Sequence, residues 1–346
     1  MIDWATFKIP CYHLNRIEGG RVIKVSPDGL IEWETVTSHS VIGSYDSSIR
    51  IKTSDVNSEG YGTHLYVDGN PLKFLQGHNL FGIDNLVSLI QGLMIKLWAI
   101  EELGLRPTMF DINAWEKGFY RLTRVDCTFM YDVETPDNAN AWIRQAEQCA
   151  TLSHRGKGQI TSGSTLYFGK HSRRAAVKFY PKGQEFRKHA HNSLLEIPSL
   201  VEYADKALRV EVVLRSMELQ RRLLNVASNW DDNISYNVVN GFLRNLHMSE
   251  IEAIAPSKTE NLRPVLKAVY ELWKAGHDIR GMYPRPTFYR YRKALMEALD
   301  VDIGLIQPSN RSDTTNVVRM VKIIEAKPMG IPDWAYGTDL LFQPSK

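Results

Sequence analysis

The feature that most constrains this chain is a change of hydrophobic period along its length. Up to Arg215, apolar and polar residues mostly alternate, the period of a half-buried strand. The alternating stretches are residues 2–9, 21–25, 30–36, 48–53, 63–67, 120–131, 164–168, 175–180 and 208–214. Gly19-Gly20, Asp28-Gly29 and Asp68-Gly69 punctuate the first of them as turns. Helical spacing interrupts at 83–103, where Val87, Ile90, Leu93, Met94 and Leu97 share a face, and again at 137–149 and 199–206. Strands and helices do not alternate regularly, so a parallel βαβ fold is excluded. The expected class is α+β, a mainly antiparallel central sheet flanked by helices.

No strand is expected after Arg215. Residues 217–226, 235–247, 262–275, 286–299 and 316–325 read as helices. Two regions follow: residues 1–250 around the sheet and a helical region, residues 251–346. In the second, Gly276 suits a helix stop, and Pro286 suits the first turn of the next helix. Phe288, Leu295 and Leu299 can then face inward. Arg285, Tyr289, Arg290, Arg292 and Lys293 remain for a helix-turn-helix unit on DNA. A helical pair packed on the sheet domain with a solvated basic face is the alternative.

Composition narrows the partners. The chain has 346 residues, a net charge of +3 and a pI of about 8.6, so nucleic-acid contact must come from local clusters. Cys11, Cys127 and Cys149 are odd in number and lack metal-ligand spacing, which speaks against a disulfide framework. Met1-Ile2-Asp3-Trp4 has no signal-peptide character. The most apolar stretch, 86–103, is broken by Gln91, Lys96, Glu101 and Glu102. The expectation is a protein of the bacterial cytoplasm with no membrane partner.

Three strands carry reactive side chains among apolar neighbours: Arg124-Val125-Asp126-Cys127-Thr128-Phe129, Ala176-Val177-Lys178-Phe179-Tyr180-Pro181-Lys182 and Leu208-Arg209-Val210-Glu211-Val212-Val213-Leu214. Alternate residues share a face. Arg124 therefore points with Asp126, Lys178 with Tyr180, and Arg209 with Glu211. Adjacent strands would gather two carboxylates, a phenol and several cations, which suits phosphoryl transfer to tyrosine beside a divalent cation. The same residues also suit ion pairs on a solvated sheet face. Residues 170–188 hold Lys170, Arg173, Arg174, Lys178, Lys182, Arg187 and Lys188 against the single acid Glu185. They suit a grip on a phosphodiester backbone or a solvated turn.

Leu75-Gln76-Gly77-His78-Asn79-Leu80-Phe81-Gly82 resembles the LQGHNxFG motif of the filamentous-phage gene II-type replication initiators. The Arg124–Phe129 strand, Tyr180-Pro181-Lys182 with Glu185, Leu208-Arg209-Val210-Glu211, Pro284-Arg285 with Phe288-Tyr289-Arg290-Tyr291, and Pro332-Asp333-Trp334 resemble the same family, in the same order. Thr165-Leu166-Tyr167-Phe168-Gly169 is also similar to the initiators of staphylococcal rolling-circle plasmids. The resemblance implies an enzyme that nicks one strand of a duplex origin, frees a 3′ hydroxyl and later rejoins the displaced strand. It implies Tyr180 as nucleophile, Lys182 as a stabiliser of phosphate or phenolate charge, and Asp126 and Glu211 as ligands of Mg2+ or Mn2+. His78 is the expected third ligand or a phosphate contact, with a structural role as the alternative. Implied partners are phage origin DNA, duplex and single-stranded, and host helicase and replication machinery, with a homodimer on DNA allowed for. One departure stands out. Many rolling-circle initiators carry a His-hydrophobe-His strand before the tyrosine, whereas here His189-Ala190-His191 follows it and reads as a solvated loop. The rival function is a non-catalytic DNA-binding repressor or copy-number regulator.

Overall fold

A computed structural model of the chain describes residues 1–161, 164–248, 262–275, 277–299, 303–304 and 328–344. Its strands in chain order are β1 (Ile2–His13), β2 (Gly20–Val25), β3 (Ile31–Thr37), β4 (His39–Ile42), β5 (Ser48–Val56), β6 (Gly62–Gly69), β7 (Arg121–Asp132), β8 (Ala150–Leu152), β9 (Gly156–Lys157), β10 (Gln159–Thr161), β11 (Thr165–Phe168), β12 (Ala175–Pro181), β13 (Ala207–Arg215) and β14 (Leu246–Met248). Nine of them form one sheet in the order β10-β11-β12-β13-β7-β1-β6-β5-β4, with all neighbours antiparallel. The fold is α+β.

Period two sorts the side chains onto two faces. On one, Phe7, Ile9, Val125, Cys127, Val177, Phe179, Val210 and Val212 are buried against helices Leu86–Trp98, Pro136–Cys149 and Ile234–Leu243. The Trp142 ring lies 4.9 Å from that of Phe179. The opposite face carries the polar residues of the same strands. Helices Lys182–His189 and Pro198–Asp205 cover its end through Phe186, Leu200, Tyr203 and Ala204, which pack on Met130 and Ala207.

Several local expectations need correction. The helix expected over 83–103 is Leu86–Trp98, because the Asn85 side chain accepts from the Ser88 amide and caps it there. Pro71–Gln76 and Met109–Lys117 are helices the periodicity did not reveal. The first has fewer than two turns; the second starts at a capping box between Thr108 and Asp111. Strands do not end at Arg215: β14 pairs with β8 in a small separate sheet. The helix expected over 316–325 lies outside the described residues.

The C-terminal helices Pro264–Lys274, Ile279–Met282 and Arg285–Leu299 share their own small core, in which Val269, Trp273, Ile279, Phe288, Leu295 and Leu299 are buried. Residues 328–342 instead pack on elements of the first 250 residues. The Met329 amide donates to the Met130 carbonyl at 2.7 Å, and the Tyr203 hydroxyl to the Gly330 carbonyl at 2.8 Å. Trp334 meets Phe81 edge-on at 5.5 Å. Phe342 lies against Gly92, where a Cβ would come within 2.3 Å of its ring. No helix among the described residues is long and apolar enough to cross a membrane.

Candidate active site

Strands β12, β13 and β7 are neighbours, and their register aligns Lys178 with Glu211, Tyr180 with Arg209, and Glu211 with Thr128. Asp126 and Glu211 thereby sit diagonally across one strand boundary on one face, 1% and 3% exposed. Asp126 is also opposite Trp4 of β1.

Each carboxyl has a cation of its own. Arg124 donates to Asp126 through both Nε (2.8 Å) and Nη2 (2.6 Å). Lys178 forms an ion pair with Glu211. The Tyr180 hydroxyl donates to the second oxygen of Glu211 at 3.1 Å. Burial and the neighbouring Glu211 charge push Asp126 well above the carboxylate range. Glu211 is held down by Lys178 and by a hydrogen bond from Asp126, against the effect of its own burial. The two charges oppose one another, and the rise falls on Asp126 rather than on Glu211. Burial, with the Glu211 charge beside it, pushes the Tyr180 phenol well above 10, while Arg209 opposes the rise.

Beneath Tyr180 lies a buried polar network built by the Gln76–Gly82 segment. Gly77 caps the Pro71–Gln76 helix in the left-handed region at φ 86°. That turn buries Asn79, which accepts from Lys182 Nζ at 2.8 Å and donates to Asp3 at 2.6 Å. Arg209, fully buried, donates to Thr128 Oγ1 (2.8 Å) and the Asn79 carbonyl (2.7 Å) and is ion-paired with Asp3 at 2.7 Å. Asp3 and Asn79 escaped sequence reasoning. Asn79 at least sits in the recognised motif, but Asp3 has no local signal.

The remaining expected residues are placed as follows. Lys182 starts the helix after β12 and is fully buried, ion-paired with Glu185, and burial lowers its amine to about 7. In this state it braces the network and does not face solvent. His78 is 1% exposed and edge-on to Phe81 at 4.7 Å; burial and the Lys182 charge lower it to about 3, so the ring is neutral. It does not join the two carboxyls: among the described residues no three His, Cys, Asp or Glu side chains are gathered to hold a metal. His189 ends a helix and His191 caps the next, both exposed.

The expected basic grip is divided. Arg173 and Arg174 are exposed in the turn before β12, while Arg187 is taken up by a bidentate pair with Asp205. Lys178 and Lys188 line a cleft of about 750 Å³ with Tyr167, Tyr180, Arg144 and Glu185. On the Arg285–Leu299 helix, Arg285, Tyr289, Arg290 and Lys293 are exposed, and Arg292 is half-buried. Lys293 approaches Glu297 at 3.8 Å.

Residues 1–233 match the family of the N-terminal region of the phage gene II replication-associated protein, and residues 257–340 match the family of its C-terminal region. The chain belongs to the gene II replication-associated protein family. It is 38% identical over 339 residues to the gene II replication-associated protein of Enterobacteria phage I2-2, covering 96% of this chain and 95% of that one. Among solved structures, the rolling circle replication initiator protein of Geobacillus stearothermophilus aligns over 74% of this chain and 88% of its own. That alignment has a TM-score of 0.32 and 13% identity. In this gene II family member, the acidic pair, Tyr180 and the basic cleft occupy one continuous face of the sheet.

Proposed function

We propose that the chain initiates rolling-circle replication by nicking one strand of a phage origin through Tyr180. The observation that carries this is the hydrogen bond from the Tyr180 hydroxyl to Glu211, at the wall of a cation-lined cleft and beside the buried Asp126 carboxyl. A replication initiator of the gene II family needs to cut DNA reversibly, and a phenol held on a carboxylate is a nucleophile with its base in place.

In the forward step Glu211 accepts the phenolic proton. The phenolic oxygen forms a bond to phosphorus, and the phosphorus–O3′ bond breaks. The leaving oxygen takes a proton from solvent, giving a 3′ hydroxyl and a 5′-phosphotyrosine. Rejoining runs the same bonds in reverse, with the proton returned to Tyr180. Lys178 sits on Glu211 and lines the cleft, so its ammonium is placed to follow charge onto a bound phosphate.

The donor set fits a hard divalent cation. Asp126 and Glu211 bring carboxyl oxygens to one place, where each already draws a cation, Arg124 and Lys178. These two residues would hold Mg2+ or Mn2+, with water and phosphate completing the shell. The ion would supply polarisation of a phosphate oxygen and relief of the carboxylate repulsion. Origin choice is assigned to the Arg285–Leu299 helix, whose exposed Tyr289, Arg290 and Lys293 suit major-groove and phosphate contacts.

The test is incubation of supercoiled origin plasmid with protein and Mg2+. Open circles with protein covalently joined to DNA support the enzyme. A retarded but intact plasmid favours a repressor.

A further inference from the structure

The site face of the sheet continues past the acidic pair onto β1, β6 and β5, where it carries aromatic rings paired with cations. The Arg124 guanidinium lies over the Trp4 ring at 5.1 Å, and Lys52 lies over Tyr66 at 5.5 Å. Both residues are half-buried. The Trp4 ring is fixed in place: Asp68 accepts from its Nε1 at 2.9 Å and from Thr6 at 2.6 Å, and Arg50 closes on the other oxygen. Register aligns Trp4 with Asp126, and Lys8 and Lys52 with Tyr66 from either side. On the other flank of the acidic pair, Tyr167 lies within 5.4 Å of Lys170 and 6.0 Å of Lys178. Rings with cations beside them suit single-stranded nucleic acid, because every base has a face to stack and every linkage a charge.

The order of strands adds direction. Tyr180 is on β12 and Trp4 on β1, three strands away, about 14 Å at the usual strand spacing. The acidic pair lies between them. The Tyr180 hydroxyl is directed at Glu211 of β13, so for a phosphate seated over the acidic pair in-line displacement sends the leaving oxygen toward β7 and β1.

We infer that Trp4 and Tyr66, with Arg124 and Lys52, form a base-stacking platform for the nucleotides on the 5′ side of the nick, the strand that leaves with the new 3′ hydroxyl. The 3′-side nucleotides, held through the 5′-phosphate, run along the Tyr167–Lys178 cleft instead. This rests on Tyr180 being the nucleophile. The platform holds the released 3′ end beside the phosphotyrosine, and so keeps the two ends together until they are rejoined or the 3′ end is extended.

The test uses two fluorescent single-stranded oligonucleotides from the origin, one ending in the 3′ hydroxyl at the nick and one beginning with the 5′-phosphate. Their dissociation constants are measured for the full chain and for Trp4→Ala, Tyr66→Ala, Trp4→Phe and Tyr66→Phe. Each alanine variant should weaken the 5′-side oligonucleotide roughly tenfold, the size of one stacked base, and leave the other within about twofold. The phenylalanine variants should recover most of the loss, which a merely destabilised sheet would not show. Equal weakening of both oligonucleotides, or none, overturns the platform. Cleavage of the joined oligonucleotide by the unaltered chain is followed in parallel. Cleavage without the one-sided loss refutes the platform alone; one-sided loss without cleavage refutes the nicking reading and leaves a binding surface.

Discussion

Tyr180 and Glu211 sit on adjacent strands, and the phenol of the first donates to a carboxylate oxygen of the second at 3.1 Å. The other oxygen of that carboxylate is held by Lys178. Glu211 can therefore receive the phenolic proton without moving. Glu211→Gln keeps the shape and a hydrogen-bonding carbonyl but removes the basic oxygen. The expected outcome is a fall in nicking of about 100-fold or more, the range for a lost general base, with origin binding nearly unchanged. Single-turnover cleavage and a gel-shift titration measure the two separately. Retained cleavage would show that the proton leaves by another route.

The raised Asp126 carboxyl predicts that cation binding at this pair depends on pH. Asp126 is raised, so the folded state keeps a proton that the unfolded chain releases near pH 4. Without a cation, this residue's contribution to stability falls as pH climbs from the ordinary carboxylate range toward the raised value. A divalent cation must displace the proton, so its affinity rises over the same window, with close to one proton released per ion. Calorimetry in buffers of different ionisation enthalpy counts that proton. Asp126→Asn should abolish the release and the pH slope. A slope that persists in this variant would locate the titrating group elsewhere.

Arg209 is fully buried, with Asp3, Thr128 and the Asn79 carbonyl as its partners. Arg209→Ala leaves the buried Asp3 carboxylate without its ion-pair partner and with only the Asn70 and Asn79 amides donating to it, a loss of roughly 3–5 kcal/mol. Arg21→Ala, which breaks an exposed pair with Glu34 at 3.1 Å, should cost about 1 kcal/mol or less. Urea unfolding of the two variants gives the contrast directly. Similar costs would mean that the network under Tyr180 adds little to the fold.

The origin-recognition role is best tested without shortening the chain. Trp334 packs on Phe81, and the Phe342 amide donates to Gln76 at 2.8 Å, so a protein ending near Ser257 would also lose part of the site's support. Arg290→Glu with Lys293→Glu alters only exposed positions. The double variant should cleave single-stranded origin oligonucleotides normally while its preference for origin duplex over scrambled duplex falls roughly tenfold or more, as expected when one side chain stops reading a base edge. A preference that survives places recognition on the sheet domain.

Much of the site was legible in the sequence because strand geometry is simple. Once Arg124-Val125-Asp126, Lys178-Phe179-Tyr180 and Arg209-Val210-Glu211 are read as strands, alternation alone pairs their reactive residues, and the structure sets the three strands side by side. What alternation cannot give is the third dimension. Lys182 follows Tyr180 by two residues, but Pro181 ends the strand and turns Lys182 inward toward Asn79 and Glu185. His78 lies in a recognised motif, yet the Gly77 turn tucks it against Phe81, away from the carboxyl pair. Asp3 meets Arg209 from more than 200 residues away in sequence, a contact no local pattern encodes. Residues 328–342 read as a continuation of the helical region, although Met329, Ile331, Ala335, Leu340 and Leu341 complete a core built by residues 80–207.

The most direct test is denaturing gel analysis of end-labelled origin oligonucleotide after incubation with Mg2+ and the intact chain, Tyr180→Phe or Tyr167→Phe. Tyr167 is the competing phenol, on the neighbouring strand and in the same cleft. The predicted result is a covalent protein–DNA band for the intact chain and for Tyr167→Phe, and none for Tyr180→Phe, which still shifts the DNA in a native gel. A covalent band that persists in Tyr180→Phe and disappears in Tyr167→Phe would contradict the assignment of the nucleophile.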